Sequence, residues 1–389
     1  MKNNTTSSVQ TAPLANSLSG LLRPSVVVGV LYILLVGVVA IQNHYTALDF
    51  VHIGTVWANH DPSGTWGYDG QYYYQMAHNL FQAYQYMDNA SFREQHLFYG
   101  LVVGVLSFGQ PALIPYMLLL VNFLSVVLAV ELLSRLLVKY GFSPWFSLAL
   151  GLYFGQAEGV LFDTAEPLTY FLVCLGVWLV VEKERYWLAA IMLGLATLTR
   201  EIAILFSIAY LCTFIVRRQW RQSLQFFLLS ILPFFLLLLA LRLIYGQSGV
   251  TFTRPFEHVP FAGIFYHSDA PRKFYLLLLL MFLPTVAGWL LGIVDLYRKV
   301  WKGQGPWLQR FSPYYLSLLA NLLMITLMSH SSYDELVSCG RIATGIVLAA
   351  LLYALTTRQK WLLWCAQFYT VTFLFAVVGT LLHWPSFIS

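Results

Sequence analysis

The sequence predicts an all-α, polytopic integral membrane protein with about ten or eleven transmembrane helices. Hydrophobic residues make up 59% of the 389 residues, charged residues only 10%, and the mean hydropathy is +0.68. A soluble domain carries roughly 25% charged residues, so this chain has too few charges to cover a water-facing surface. Its apolar runs are also close to the length of about 20 residues that an α-helix needs to cross a bilayer.

The apolar runs give the predicted elements in chain order. The expected spans are approximately 24–42, 112–137, 144–161, 165–181, 186–199, 202–216, 222–244, 273–295, 312–329, 341–357 and 361–382. Two of them, 186–199 and 202–216, are short and flank Thr199-Arg200-Glu201, which predicts a helical hairpin whose polar turn lines a cavity. The apolar segment 97–109 is too short to span and is predicted to lie on the membrane surface as a helix.

The distribution of charge predicts the domain organisation and the orientation. Residues 1–23 are polar and rich in Ser, Thr and Asn, which indicates a disordered cytosolic tail. Residues 24–389 are expected to form one transmembrane domain, with a long first extracytoplasmic loop at 43–96 and a second at 245–272. This orientation puts most of the 22 Lys and Arg residues on the cytosolic side. Most acids then lie outside, which suggests that the outer face carries the chemistry.

The first candidate motif is WGYDGQYYY at 66–74, in the first loop. Asp69 precedes a helix predicted at 71–80, and Gly70 allows a tight turn beside it. We interpret Asp69 as a general base that takes a proton from an acceptor hydroxyl. The alternative is that Asp69 only caps the helix, among aromatic residues of the membrane interface. The neighbouring residues predicted to contact substrate are Tyr68, Gln71, Tyr72 and Tyr73.

A second group of acids surrounds the turn between two predicted spans. Glu158, Asp163 and Glu166 are costly at a membrane edge unless they are solvated or paired. They form either a wet loop or part of a polar cavity in which Asp163 or Glu166 lies near Asp69. Such oxygen ligands could hold a divalent metal, but the motif requires no cofactor. The four cysteines form no metal-ligand pattern.

Two arginines complete the candidate site. Arg200 and Glu201 form an ionisable pair between two short apolar helices, and Arg341 opens a late span from the outer side. A guanidinium group binds phosphate well because it offers several donors in a planar fork. We therefore predict that Arg200, Glu201 and Arg341 bind substrate. The alternatives are a self-neutralising Arg–Glu pair and an Arg341 that extends to the interface.

Other classes of function lack a motif in this sequence. It contains no Walker-type phosphate loop, no HExxH and no GxSxG. The basic residues lie in short loops and form no stripe, so no nucleic-acid partner is expected.

Several segments between Tyr68 and Leu211 together resemble a known family. They are YDGQYYYQMA at 68–77, DNASFREQHLFYGLVVGVLS at 88–107, LVNFLSVVLAVELLSRLL at 120–137, SPW at 143–145, TAEPL at 164–168 and LATLTRE at 195–201. In these segments the chain resembles a family of bacterial multispanning membrane proteins with a DGQ(F/Y)YY motif that are implicated in cell-surface glycopolymer formation. This family is similar to the C-type (GT-C) glycosyltransferases, which use polyprenyl-phosphate sugars. The chain departs from the pattern after Arg93, where a more basic, proline-containing stretch is expected.

The resemblance implies a GT-C-like fold in the bacterial plasma membrane and a mechanism. Asp69 would act as the base, the acceptor oxygen would attack the anomeric carbon, and the lipid phosphate would leave with Arg200 and Arg341 stabilising its charge. The implied partners are a polyprenyl-phosphate-linked sugar, membrane lipid, and a glycan, lipid or protein acceptor. Two other functions stay open: a transporter or flippase of lipid-linked glycans, and a non-catalytic scaffold of a glycopolymer assembly complex.

Overall fold

The computed structural model describes residues 23–249, 255–301 and 310–381. Helices dominate these ranges and no strand occurs in them, which confirms the all-α prediction. Of the predicted tail, only Arg23 belongs to the described residues. Residues 250–254 of the predicted second loop also lie outside the described residues.

The principal helices follow one another along the chain as α1 to α13. They are α1 Pro24–Asn43, α2 Gly70–His78, α3 Leu97–Leu106, α4 Ile114–Lys139, α5 Phe154–Leu161, α6 Glu166–Lys183, α7 Tyr186–Thr199, α8 Ile204–Val216, α9 Trp220–Tyr245, α10 Pro271–Trp301, α11 Pro313–Leu327, α12 Leu336–Thr357 and α13 Lys360–Gly379. Short helical turns lie between them at Asp49–Val51, Thr55–Ala58, Ala83–Tyr86, Ala90–Arg93, Glu94–His96, Pro144–Ser147, Leu148–Gly151, Glu201–Ala203, Ala262–Phe265 and His330–Tyr333.

The protein is a multi-pass membrane protein. Within the described ranges, 6 helices are long and apolar enough to cross a membrane: α1, α4, α9, α10, α12 and α13. Three shorter apolar helices, α7, α8 and α11, pack among them, and α6 lies between α4 and α7. Each predicted span except 144–161 therefore corresponds to one helix.

The prediction of a single span at 144–161 is wrong. The turn Leu148–Gly151 ends at Leu152, and the chain restarts as α5 at Phe154. Side chains from distant helices bind the backbone groups that this break leaves free. Tyr32 donates to the Gly151 carbonyl oxygen at 2.9 Å, and the Phe154 amide donates to Thr372 Oγ1 at 3.1 Å. A break of this kind is tolerated at membrane depth when it is buried in protein.

Helix α12 lies at the centre of the bundle and is the most buried of the long apolar helices. It packs against α5 and α11. The contact with α5 is very close, because a Cβ atom at Gly155 would lie 2.3 Å from the Gly340 carbonyl oxygen. Glycine allows this approach, and the approach fixes the first turns of α12, which carry Arg341.

Candidate functional site

An open polar cleft of about 570 Å³ lies where the first loop meets the start of α12. Its walls come from four parts of the chain: residues 66–72, residues 88–93, Arg200 and residues 329–342. This is the end of the bundle predicted to be extracytoplasmic. The volume falls within the usual range for ligand pockets, roughly 300–1,000 Å³. Most of the predicted site residues meet here.

Asp69 lies at the centre of the charged groups in the cleft. It occupies the N-cap position of α2, but its side chain makes no capping hydrogen bond, so the alternative in which Asp69 serves only to cap the helix is wrong. Instead Oδ1 accepts a hydrogen bond from Arg93 Nη1 at 2.8 Å, and Oδ2 accepts one from Arg341 Nη2 at 2.7 Å. The Asp69 side chain is 19% exposed and that of Arg341 is 2% exposed. The carboxylate therefore joins two arginines from distant parts of the sequence.

Two glycines shape the loop that carries Asp69. A Cβ atom at Gly70 would lie 2.6 Å from the Phe162 carbonyl oxygen and 2.8 Å from that of Val51. Gly70 is thus required by close packing at the start of α2. The predicted tight turn is present there, because the Gln71 amide donates to the Tyr68 carbonyl oxygen at 3.2 Å. A second turn lies at Gly67, whose φ of 69° falls in the left-handed region.

Glu166 connects the two predicted phosphate-binding arginines from behind. Its Oε1 lies 3.5 Å from Arg341 Nε and 3.4 Å from Arg200 Nε, and its side chain is only 1% exposed. Arg200 also lies 3.9 Å from Glu201, whose carboxylate contacts His96. A buried carboxylate shared by two guanidinium groups holds both in place, because removing one partner would leave an unpaired buried charge.

Arg93 is a site residue that the sequence interpretation missed. Its Nε and Nη2 donate to the two carboxylate oxygens of Asp88 at 2.8 and 2.7 Å, and its third nitrogen binds Asp69. The guanidinium carbon also lies 4.2 Å from the centre of the Tyr72 ring. Bidentate pairing and ring stacking both fix its plane. The spacing of Asp88 and Arg93 in DNASFRE was the available signal.

The arginines control the ionisation of Asp69. Burial raises the pKa of this carboxyl, but Arg93, Arg341 and Arg200 outweigh burial and hold the pKa well below its usual range. For Arg93 the balance is similar. Burial disfavours the charged guanidinium and lowers its pKa, but the neighbouring Asp69 and Asp88 outweigh burial and raise the pKa above its usual value. Asp69 is therefore ionised at neutral pH and accepts protons weakly while both arginines are bound to it.

The predicted contact residues Tyr68 and Gln71 line the cleft in different ways. The Tyr68 ring centre lies 5.0 Å from the Arg341 guanidinium carbon. The amide of Gln71 is occupied within the loop: Oε1 accepts from the Gly54 amide at 3.1 Å, and Nε2 donates to the Trp66 carbonyl oxygen at 2.9 Å. Gln71 thus holds the shape of the loop, while Tyr68 faces the site.

Four predicted site residues do not line the cleft: Glu166 and Glu201, which contact Arg200, and Tyr73 and Asp163. Tyr73 is buried against Tyr99, with ring centres 5.0 Å apart, because consecutive side chains of α2 point in different directions. Asp163 is fully buried behind Gly70, and neither of its carboxylate oxygens has a hydrogen-bond partner within the described part of the chain. The expected cavity shared by Asp163 and Asp69 is therefore wrong.

Metal ligands do not cluster in the described ranges. No group of three or more His, Cys, Asp or Glu side chains there has a geometry that could hold a metal ion. The positive charge that the described site provides comes from Arg93, Arg200 and Arg341.

The sequence interpretation also missed one wall of the cleft, which joins α11 to α12. We call it the serine wall; its polar side chains are Ser329, Ser331, Ser332, Asp334, Glu335 and Ser338. Its signal was the polar run SHSSYDE between two apolar spans. The wall adds several hydroxyl groups to the cleft that contains the arginines.

We compared the chain with models of known families, with curated proteins and with solved structures, and none of the three comparisons gives a match.

Proposed function

We propose that this chain is a membrane glycosyltransferase that moves a sugar from a polyprenyl-phosphate donor to a glycan, lipid or protein acceptor at the extracytoplasmic face. The observation that carries the proposal is the convergence of Arg93, Arg200 and Arg341 with Asp69 in one open cleft at the end of an apolar helix bundle. This combination provides an anion site and a carboxylate at the edge of a membrane.

The arginines suit the phosphate of a lipid-linked donor. When the sugar leaves, a phosphodiester with one negative charge becomes a phosphomonoester with up to two. Arginine donors near the leaving oxygen stabilise this added charge without the help of a nucleotide. Arg341 is already oriented by Glu166 and Arg93 by Asp88, so little reorganisation is required during the reaction.

An apolar groove lies close to the cleft, as a lipid donor requires. Ile342 lines the cleft, and Ile346, one turn further along the same face of α12, lines a groove of about 350 Å³ between α10, α11, α12 and α13. The groove is bordered by Leu283 and Trp361 among other apolar side chains. An isoprenoid chain that enters it keeps its phosphate beside Arg341.

Donor binding would also activate Asp69 as the base. The phosphate competes with Asp69 for Arg93 and Arg341, and its own negative charge raises the proton affinity of the nearby carboxylate. Asp69 then takes the proton of the acceptor hydroxyl as that oxygen attacks the anomeric carbon. The bond between the anomeric carbon and the phosphate oxygen breaks, and polyprenyl phosphate leaves with the electron pair.

The test is an assay of the purified protein with a broad panel of polyprenyl-phosphate sugars, wild type beside Asp69→Asn. Release of polyprenyl phosphate by the wild type alone supports a glycosyltransferase with Asp69 as its base. Equal release by both proteins contradicts the role of Asp69. No release by either monodisperse protein favours the flippase or scaffold function.

A further inference from the structure

The serine wall is held in shape from outside the cleft by the second loop and the start of α10. Glu257 accepts hydrogen bonds from the backbone amide and the ring of His330 at 3.1 and 3.0 Å. His267 lies 3.2 Å from the His330 carbonyl oxygen, and Lys273 donates to the carbonyl oxygen of Asp334. Because these contacts bind the outer side of the segment, the serine side chains can line the cleft in a fixed arrangement.

Three side chains of the cleft form a directed hydrogen-bond chain. Ser338 Oγ donates to Glu335 Oε2 at 2.8 Å, and it also lies 3.2 Å from the Tyr68 hydroxyl. A serine hydroxyl has one proton. Since Ser338 gives that proton to Glu335, the Tyr68 hydroxyl must donate to Ser338. The lone pairs of Tyr68 and the remaining capacity of Glu335 are then left to accept hydrogen bonds from a ligand in the cleft.

Glu335 differs from the other acids of the cleft. Asp69 and Asp88 are paired with Arg93, and Asp334 lies 3.6 Å from His267. Over the described ranges, Glu335 has no basic side chain within ion-pair distance, and its bond from Ser338 is the contact that the structure gives it. A carboxylate that no basic side chain neutralises is a strong acceptor for hydroxyl donors.

The position of the chain matches a sugar attached to the proposed phosphate. Ser338 precedes Arg341 by three residues on α12, so the two side chains lie on the same face of the helix. The guanidinium carbon of Arg341 lies 5.0 Å from the centre of the Tyr68 ring, whose hydroxyl lies 3.2 Å from Ser338 Oγ. A donor whose phosphate lies on the Arg341 guanidinium therefore presents its ring to Tyr68, Ser338 and Glu335.

We propose that Tyr68, Ser338 and Glu335 form the sugar subsite of the donor, and that this subsite selects a sugar with free ring hydroxyls and rejects an acidic sugar. This inference rests on the proposed glycosyl transfer and specifies its donor class. A site built to bind a hydroxyl discriminates against a ligand that lacks it, because the acceptor in the site is left unpaired. A carboxylated sugar would be repelled by Glu335 and Asp334.

The experiment measures the affinity of the purified protein for two probes: a polyprenyl-phosphate hexose and sugar-free polyprenyl phosphate. Glu335→Gln and Ser338→Ala are compared with the wild type and with Glu182→Gln, a matched change far from the cleft. Both cleft variants should bind the hexose probe about tenfold more weakly, from the loss of one charge-assisted hydrogen bond. The affinity of Ser338→Ala for the sugar-free probe should stay within about twofold of the wild type, since Arg341 is untouched. Glu335→Gln should bind the sugar-free probe at least as tightly as the wild type, because the change also removes a negative charge near the phosphate.

The outcomes separate this inference from the function on which it rests. If the wild type binds neither probe, the proposed donor class fails. If the wild type binds both and each cleft variant weakens the two probes equally, or neither, the sugar subsite lies elsewhere and the inference is overturned. A third probe, a polyprenyl-phosphate uronic acid, should bind the wild type more weakly than the hexose probe, and Glu335→Gln should narrow that difference.

Discussion

Replacing Asp69 with Asn should abolish sugar transfer and, at the same time, tighten the binding of sugar-free polyprenyl phosphate. In the cleft as described, Arg93 and Arg341 each donate a hydrogen bond of 2.7–2.8 Å to the Asp69 carboxylate. A phosphate has to compete with that carboxylate for both arginines. Asparagine keeps the shape of the side chain but removes the negative charge, so it removes the competitor together with the proposed base.

The geometry gives the size of the effect. A phosphate that shares an arginine with Asp69 lies about 5 Å from its carboxylate, and two unit charges at that distance repel by about 3 kcal/mol at an effective dielectric constant near 20. Asp69 is 19% exposed, so solvent and salt reduce this repulsion. A remaining 1.4–2.8 kcal/mol corresponds to roughly ten- to hundredfold tighter binding. Loss of a general base lowers the rate by about 10²–10⁴-fold.

The assay combines a titration of labelled polyprenyl phosphate against the detergent-purified variant with a turnover assay on the same preparation. Asp61→Asn is the matched control, because Asp61 is an exposed acid of the same loop whose side chain accepts hydrogen bonds from Ser63. The control should bind and turn over like the wild type. The gain in affinity of Asp69→Asn should shrink as salt is added.

Weaker binding of polyprenyl phosphate by a folded Asp69→Asn variant would refute this reasoning. It would mean that Asp69 holds the arginines in the geometry that phosphate needs, and that it does not compete with the phosphate. Unchanged affinity with lost turnover would keep Asp69 as a base but remove the arginines Arg93 and Arg341 from the phosphate site.

Three further predictions follow from individual side chains. Arg200→Ala should weaken donor binding about tenfold; unchanged affinity in the same titration would indicate a purely structural pair. Burial lowers the pKa of His52 to about 4. Because the unfolded chain then binds more protons than the folded chain between about pH 4 and 6.5, the free energy of unfolding should fall by about 2 kcal/mol from pH 7 to 5. In His52→Asn, thermal unfolding should show a smaller loss of stability over the same pH range. Ser63→Cys, with Cys212 and Cys365 replaced by serine, should react with an impermeant thiol reagent in intact cells; labelling only after lysis would reverse the topology.

The helices were largely predictable because their signal is local. Apolar runs bounded by Arg, Lys, Pro and Gly fixed the approximate limits of every span except 144–161. That exception depended on contacts distant in sequence. The break before Phe154 is stabilised by the hydroxyl of Thr372, more than two hundred residues away, and no property of residues 144–161 reveals such a partner.

The site was predictable in part. Arg200 and Arg341 were identified because charged residues are rare in this chain and each lies at the edge of an apolar run, and Asp69 was identified by the motif WGYDGQYYY around it. Tyr73 was misplaced because three consecutive tyrosines on a helix look alike in sequence, and only packing decides which of them faces the cleft. Arg93 was missed because it lies in a loop where a charge needs no explanation.

The sequence by itself determined that this is an all-α membrane protein, because too few charges and repeated apolar runs leave lipid as its main solvent. It also identified the few charged residues, such as Arg200 and Arg341, whose position beside apolar runs suggests a function. Only the tertiary structure decided which of those charges meet: Arg93 and Arg341 pair with the same carboxylate although they are separated by most of the chain. The physical reason is that burial in a bilayer acts on each segment separately, whereas an ion pair requires two segments to be brought to within 3 Å or so by the packing of all the others.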